Sequence, residues 1–165
     1  MGFNDGEIED CIIQKLAVHA DSRGTLVQTY RADRVPEGVR PVMSYVSYTQ
    51  PGIGRGPHEH MTQTDMFAFI GPGDFELYLC DNRKESATYH NRRWEVVGET
   101  NPVLVVIPPG VVHGYRNMSE TLKGMVVNYP DRLYRGWGET EEADEIRHED
   151  RGDEFYEDFV SKNTL

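Results

Sequence analysis

Two histidines one residue apart, His58 and His60, are the residues of this sequence best placed to do chemistry. They stand in GIGRGPHEHMTQTDMFAFIGPGDFELYLCDNR, residues 52–83, whose glycines and alternating apolar positions predict extended chain. In a strand, side chains at i and i+2 share a face, so both imidazoles project together and Glu59 lies opposite. Arg55 precedes them among Gly52, Gly54 and Gly56, which let the backbone approach a ligand closely. A second run, LVVIPPGVVHGYRNM (residues 104–118), offers His113 in the spacing P-x-G-x-x-H-x-x-x-N. Two chemistries fit these residues. A free imidazole beside a carboxylate is a general base. Three imidazoles with Asp65 or Gln63 form a mixed N/O site for Fe, Mn, Ni or Zn. His58 cannot be metal ligand and free base at once, so the two readings compete there.

The rest of the chain must supply a scaffold for that face. A length of 165 residues suits one domain with its own core. The net charge of −11 argues against nucleic acid, which wants a basic face. Most of that charge is local: residues 138–158 carry eleven carboxylates against Arg147 and Arg151. An anionic small molecule remains compatible where single arginines meet it directly. No apolar run reaches the roughly 20 residues of a membrane span, and MGFNDGEIED does not resemble a signal peptide. Cys11 and Cys80 form no metal or disulfide spacing, which fits a reducing, cytoplasmic setting.

Strands are expected over residues 11–19, 25–30, 41–50, 94–97, 103–107, 111–116 and 122–129. Phe67, Phe69, Leu77 and Leu79 alternate around Gly71-Pro72-Gly73, which predicts a β-hairpin there. Asp81 and Arg83 are expected to pair structurally, and His19, His90 and His148 to lie on the surface. No amphipathic helix is expected before residue 139. The acidic tail is expected to be a solvated cover, strapped on by Ile146, Phe155, Tyr156 and Phe159. Many short strands with regular turns indicate an all-β sandwich or barrel.

The two histidine-bearing runs resemble the signature motifs of the cupin superfamily, which implies a jelly-roll β-barrel. Five motifs in one order are more specific: DSRG (21–24), RGPH (55–58), DNRKESATY (81–89), IPPGVVHGY (107–115) and EIRHED (145–150). Together they resemble the dTDP-4-dehydrorhamnose 3,5-epimerase family over about residues 20–150. The resemblance implies a single cupin-type domain over 1–165, with a barrel at about 11–130 and an acidic C-terminal extension at about 131–165. It also implies a homodimer acting on a dTDP-4-keto-6-deoxy sugar without metal or organic cofactor. Carried over residue by residue, it makes His58 the catalytic base and Asp150 its partner. Either Tyr129 or Tyr134 is then the acid. Arg23 and Arg55 hold the diphosphate, with Arg23 reaching the site of a neighbouring subunit. Apart from the resemblance, His60 is expected to line the substrate site as a polar pocket residue, and His113 to line it or to hydrogen-bond within the barrel. The family's enolate-stabilising lysine is replaced here by Asp65 or Met66. Three functions follow as expectations. The first is a nucleotide-sugar epimerase or ketoisomerase. The second is a metal-dependent cupin enzyme, a dioxygenase or sugar isomerase, with one divalent ion on His58, His60, Asp65 and His113. The third is a non-catalytic sugar-binding cupin.

Overall fold

The structure, a computed structural model, describes residues 2–162. The first half contributes β1 (Asn4–Asp5), β2 (Ile12–Lys15), β3 (Val18–Asp21), β4 (Gly24–Val27), β5 (Tyr45–Thr49), β6 (Gly54–Glu59), β7 (Asp65–Phe69) and β8 (Asp74–Asp81). The second contributes β9 (Asn91–Gly98), β10 (Val103–Ile107), β11 (Val111–Asn117), β12 (Gly124–Asn128) and β13 (Ile146–Arg147), then helices α1 (His148–Arg151) and α2 (Glu154–Ser161). They form a six-stranded sheet in the order β1-β9-β8-β11-β6-β13 and a five-stranded sheet in the order β2-β10-β7-β12-β5. The hairpin β3-β4 stands apart from both. The architecture is all-β, of cupin jelly-roll type, but the two sheets do not close into one barrel.

The core lies between the sheets. Phe67, Phe69, Val103, Val105, Ile107 and Val126 of the five-stranded sheet meet Phe75, Leu77, Leu79, Val97, Val111 and Tyr115 of the six-stranded one. The alternate residues are buried too, because each outer face is covered. Met66, Ala68, Leu104 and Val106 pack beneath Leu16, Tyr30, Val35 and Val39. Tyr78, Cys80 and Val112 pack beneath Phe155 and Phe159 of α2. This is why β10 reads VLVVI, apolar at every position, rather than alternating. The Phe159 ring lies over Gly54 and Gly114, where a Cβ would stand 3.1 and 3.2 Å from it.

Four expectations need correction. The turn at Gly71–Gly73 is no hairpin: β7 pairs with β10 and β12, β8 with β9 and β11, so the chain crosses between sheets there. Inward alternation is the same for a hairpin and for a crossing, so the pattern could not separate them. The 11–19 segment is two strands, broken at Leu16–Ala17, with only β2 in a large sheet. The acidic tail is more than a solvated cover. Its β13 extends the six-stranded sheet by pairing with β6, while Phe155 and Phe159 are buried as expected of its straps. His148 is likewise not on the surface. It is 2 % exposed, with Nε2 3.2 Å from Glu59 Oε1 and Nδ1 2.6 Å from Asp153 Oδ2. Asp81 and Arg83 do pair, at 2.9 Å, with Ser86 and Thr88 donating to the same carboxylate.

The His148 contacts clip the tail to the back of β6. Asn82 Nδ2 also donates to Glu59, and the Phe155 ring packs 4.7 Å from the imidazole. Burial opposes charge on His148, but the hydrogen bonds and charges of Glu59 and Asp153 prevail and raise its pKa above the ordinary value. A raised folded-state pKa stabilises the fold fully below the unfolded-state value of about 6.5 and ceases to do so as pH rises through the folded-state value. Urea titrations should therefore find His148→Gln far less stable than wild type at pH 6, with the gap narrowing at higher pH. A gap that does not change with pH would show that the histidine is held neutral.

Candidate active site

One cleft of about 970 Å³ opens beside β5 and β6, a size at the upper end for small-molecule sites. Its walls come from the sheet face and from residues 131–150, which fold back over it. The floor is the histidine face of β6. As strand alternation requires, His58 and His60 turn the same way, ring centroids 5.4 Å apart, while Glu59 points back to His148. His113, directly opposite His58 in the β6–β11 ladder, brings its ring to 4.4 Å. Asp65, at the start of β7, reaches the same point from the other sheet. One ligand-type atom from each of His58, His60, Asp65 and His113 lies within 4.8 Å of the others.

Asp65 is 1 % exposed. Its Oδ1 accepts from Gln63 Nε2 at 2.8 Å and from Asn128 Nδ2 at 3.0 Å. Its Oδ2 faces His60 Nε2 at 3.1 Å and His113 Nε2 at 3.2 Å. Burial would raise the Asp65 pKa, but the contacts with His113 and His60 outweigh it and hold the carboxylate far below its usual range. For His60, burial disfavours the charge, yet the hydrogen bond and charge of Asp65 push its pKa up to about 9. His58 moves the other way: burial first, then His113 and His60, hold it well below the usual value. It is therefore a neutral imidazole, the form a base requires.

The C-terminal segment is anchored at this point. The Asp144 carboxylate accepts from the backbone N–H groups of Met61, Thr62 and Gln63 and from Thr62 Oγ1, while its carbonyl accepts from His60 Nδ1. Those hydrogen bonds outweigh burial and lower the pKa of Asp144. Glu145 follows, with Oε1 4.0 Å from His58 Nδ1.

The residues expected from the family motifs do not all meet here. His58, His60, Arg55, Tyr134 and Asp150 line the cleft. Arg55 is tethered by its Nε to Thr49 Oγ1 at 3.0 Å and by one terminal nitrogen to the Tyr48 carbonyl at 3.1 Å. Asp150 pairs with Arg147 at 3.0 Å, and Glu145 is the tail carboxylate beside His58. Tyr129 lies outside the cleft lining, its hydroxyl 2.6 Å from Thr29 Oγ1. Arg23, 88 % exposed, sits at the β3-β4 tip, paired with Asp21 and away from the cleft within this chain. Of the two residues expected to replace the family's lysine, Met66 points into the apolar layer and Asp65 faces the site. No lysine lines the cleft among the described residues. Glu145, Asp144, Asn128 and Tyr45 were not anticipated from sequence. Tyr45 accepts from Asn128 at 2.8 Å and thereby joins the Asp65 network.

A cupin-type jelly roll with a histidine-floored, arginine-bearing cleft defines the class. The chain belongs to the dTDP-4-dehydrorhamnose 3,5-epimerase family, whose model matches residues 5–150. Agl13 of Haloferax volcanii, a probable low-salt glycan biosynthesis epimerase, is 33% identical over 141 residues, covering 85% of this chain and 86% of its own length. The spore coat polysaccharide biosynthesis protein SpsL of Bacillus subtilis is 34% identical over 116 residues, covering 69% of this chain and 74% of its own. Among solved structures, a dTDP sugar isomerase from Desulfovibrio desulfuricans superposes with a TM-score of 0.73 at 24% identity, covering 85% of this chain and 84% of that one. No helix among the described residues is long and apolar enough to cross a membrane.

Proposed function

We propose that the protein is an epimerase of a dTDP-4-keto-6-deoxy sugar, with His58 as the base. The observation that carries this reading is a half-buried imidazole in the family's base position, 4.0 Å from Glu145 at the floor of a cleft large enough for a sugar nucleotide, where burial and the neighbouring imidazoles disfavour its charge. A hydrogen on the carbon beside the 4-keto group is acidic because its electron pair can move into the carbonyl. His58 takes that proton, the C–H pair becomes the C=C of an enolate, and the carbonyl pair moves to oxygen. Return of a proton to the opposite face of the carbon inverts it and regenerates the ketone. Tyr134, in the wall built by residues 131–150, is the available acid of the two tyrosines. Glu145 takes the supporting role beside His58 that the motif gave to Asp150. Deuterium incorporation from solvent into a dTDP-4-keto-6-deoxy sugar, followed by NMR at C3 and C5 separately, is the direct test. His58→Ala should abolish incorporation at both carbons, and persistent exchange would remove the assignment.

Arg55 is the diphosphate contact. Two of its donors are held by β5, which fixes the guanidinium plane at the cleft wall. Arg55→Ala should weaken dTDP binding by about 2 kcal/mol, roughly thirtyfold, in calorimetry. Unchanged affinity would place the phosphates elsewhere.

Two features support a homodimer. The β3-β4 hairpin lies outside both large sheets yet carries exposed Val18 and Leu26, and an isolated hairpin is marginal in water. The edge strand β5 exposes Val46 and Tyr48 and pairs only with β12. Docking the hairpin on a second copy would cover both and carry Arg23 toward the neighbour's cleft. Light scattering at micromolar concentration should give twice the chain mass; a monomer mass refutes the arrangement.

A further inference from the structure

We propose that His148 is a positioning residue for proton abstraction: bridging Glu59 and Asp153 behind β6, it holds β13 in place and so keeps Glu145 against His58. The proposal deepens the epimerase reading and rests on it for the step that is served, not for the bridge.

Alternation runs through both strands of the β6–β13 ladder. Ile146 stands opposite Glu59 and Arg147 opposite His58. On β6, His58 and His60 face the cleft while Glu59 points away from it. On the tail, Glu145 and Arg147 line the cleft, and His148 is buried on the far side against Glu59. The tail thus wraps the edge of β6. The carboxylate that meets His58 and the imidazole that meets Glu59 are three residues apart, on opposite faces of one sheet.

A ladder of two residue pairs is too short to fix Glu145 by itself, and β13 pairs only with β6. Two anchors flank it. Upstream, the Asp144 carboxylate takes the backbone N–H groups of Met61, Thr62 and Gln63. Downstream the anchor is His148, whose Nδ1 donates to Asp153 Oδ2 at 2.6 Å and Nε2 to Glu59 Oε1 at 3.2 Å. Both partners are carboxylates, which accept, so both ring nitrogens carry hydrogen and the ring is an imidazolium. Asn82 Nδ2 steadies Glu59 at 2.8 Å, and the Gly152 N–H donates to the His148 carbonyl at 3.0 Å. Asp153 Oδ1 in turn caps α2 by accepting from the Phe155 and Tyr156 N–H groups. Phe155 of α2 covers the ring, and the neighbouring Arg147 pairs with Glu149 and Asp150. The charges that face His148 are therefore Glu59 and Asp153. They hold its charge to higher pH than an ordinary histidine keeps it.

Glu59 is the residue between His58 and His60, so the bridge grips the part of β6 that carries the base. When His58 takes the substrate proton it becomes an imidazolium, and Glu145, at 4.0 Å, is the carboxylate placed to support that charge. Releasing His148 moves Glu145 but not Arg55, which β5 holds independently. His148 accordingly acts on the rate of proton abstraction and not on nucleotide binding.

The test compares His148→Gln, Glu145→Gln and the double variant of the full chain by solvent deuterium exchange into a dTDP-4-keto-6-deoxy sugar. Conditions are those in which urea titration and circular dichroism show all of them folded. Each single variant should lower kcat about tenfold, with KM and dTDP affinity unchanged. The double variant should be no slower than the slower single one, because both changes remove one contact. Rate losses that multiply, or a raised KM with kcat unchanged, would overturn the proposal. His148→Lys restores a cation and should keep its rate to higher pH than the wild type; a decline at the same pH in both overturns it too. If no variant at position 148 folds, ¹⁵N-histidine NMR of the wild type decides. Both His148 nitrogens should read as protonated at neutral pH, and the His58 resonances should move as His148 loses its proton on alkaline titration. His58 signals that do not follow remove the positioning role. Exchange unaltered by His148→Gln does the same and leaves the epimerase standing. No exchange in the wild type, with the two histidines still coupled by NMR, removes the epimerase and leaves the bridge.

Discussion

A carboxylate sealed inside a protein must be compensated, and Asp65 is where this molecule meets that constraint. An unpaired buried charge costs several kcal/mol, so every polar group around it is committed. The commitments come from both sheets: Asn128 belongs to β12 in the five-stranded sheet, while His113 belongs to β11 in the six-stranded one. The middle of the interface is apolar, and further hydrogen bonds cross between the sheets from Arg55 and Asn117 to β5 and between Ser47 and Tyr115, but the buried charge lies at the cleft end. Asp65 therefore fixes how the two sheets sit at the site, and with that the separation of the histidine floor from its wall.

The acidic tail is the second organising element. Its charge looked like a solvated surface, yet individual carboxylates are placed for separate tasks. Asp144 caps the N–H groups that follow β6, Glu145 approaches His58, Asp153 meets His148, and Asp158 pairs with Arg92. Arg55, Arg132, Arg135 and Arg147 lie among the cleft's carboxylates, so the cleft is mixed in charge although the chain is strongly acidic. Close-range guanidinium contacts, not the net charge, decide whether a diphosphate is accepted there.

How far the sequence could be read follows the range of the interactions. The shared face of His58 and His60 was legible because strand alternation is local, and His113 because its turn imposes a recognisable spacing. The all-β class was legible from strand length and turn frequency. The crossing at Gly71–Gly73 was not, since core-facing alternation is blind to which strand is the partner. Nor was the burial of His148, whose partner Glu59 is 89 residues away. Resemblance to a family brought Asp150, Tyr129 and Arg23 forward, but packing within the chain sets Glu145 beside His58, holds Tyr129 on Thr29 and leaves Arg23 at a hairpin tip.

The pairing of β13 with β6 also has a consequence for the order in which the protein is made. Both sheets are complete, apart from that last strand, once residue 128 has been synthesised, yet β6 then has one open edge. An open edge on a strand is a template for pairing with other chains. Until residues 144–147 leave the ribosome, the nascent protein displays the histidine floor and that edge together. The tail thus acts as a late guard on the strand that carries the chemistry, and the chain gains protection from misassembly and a finished cleft in the same closing step.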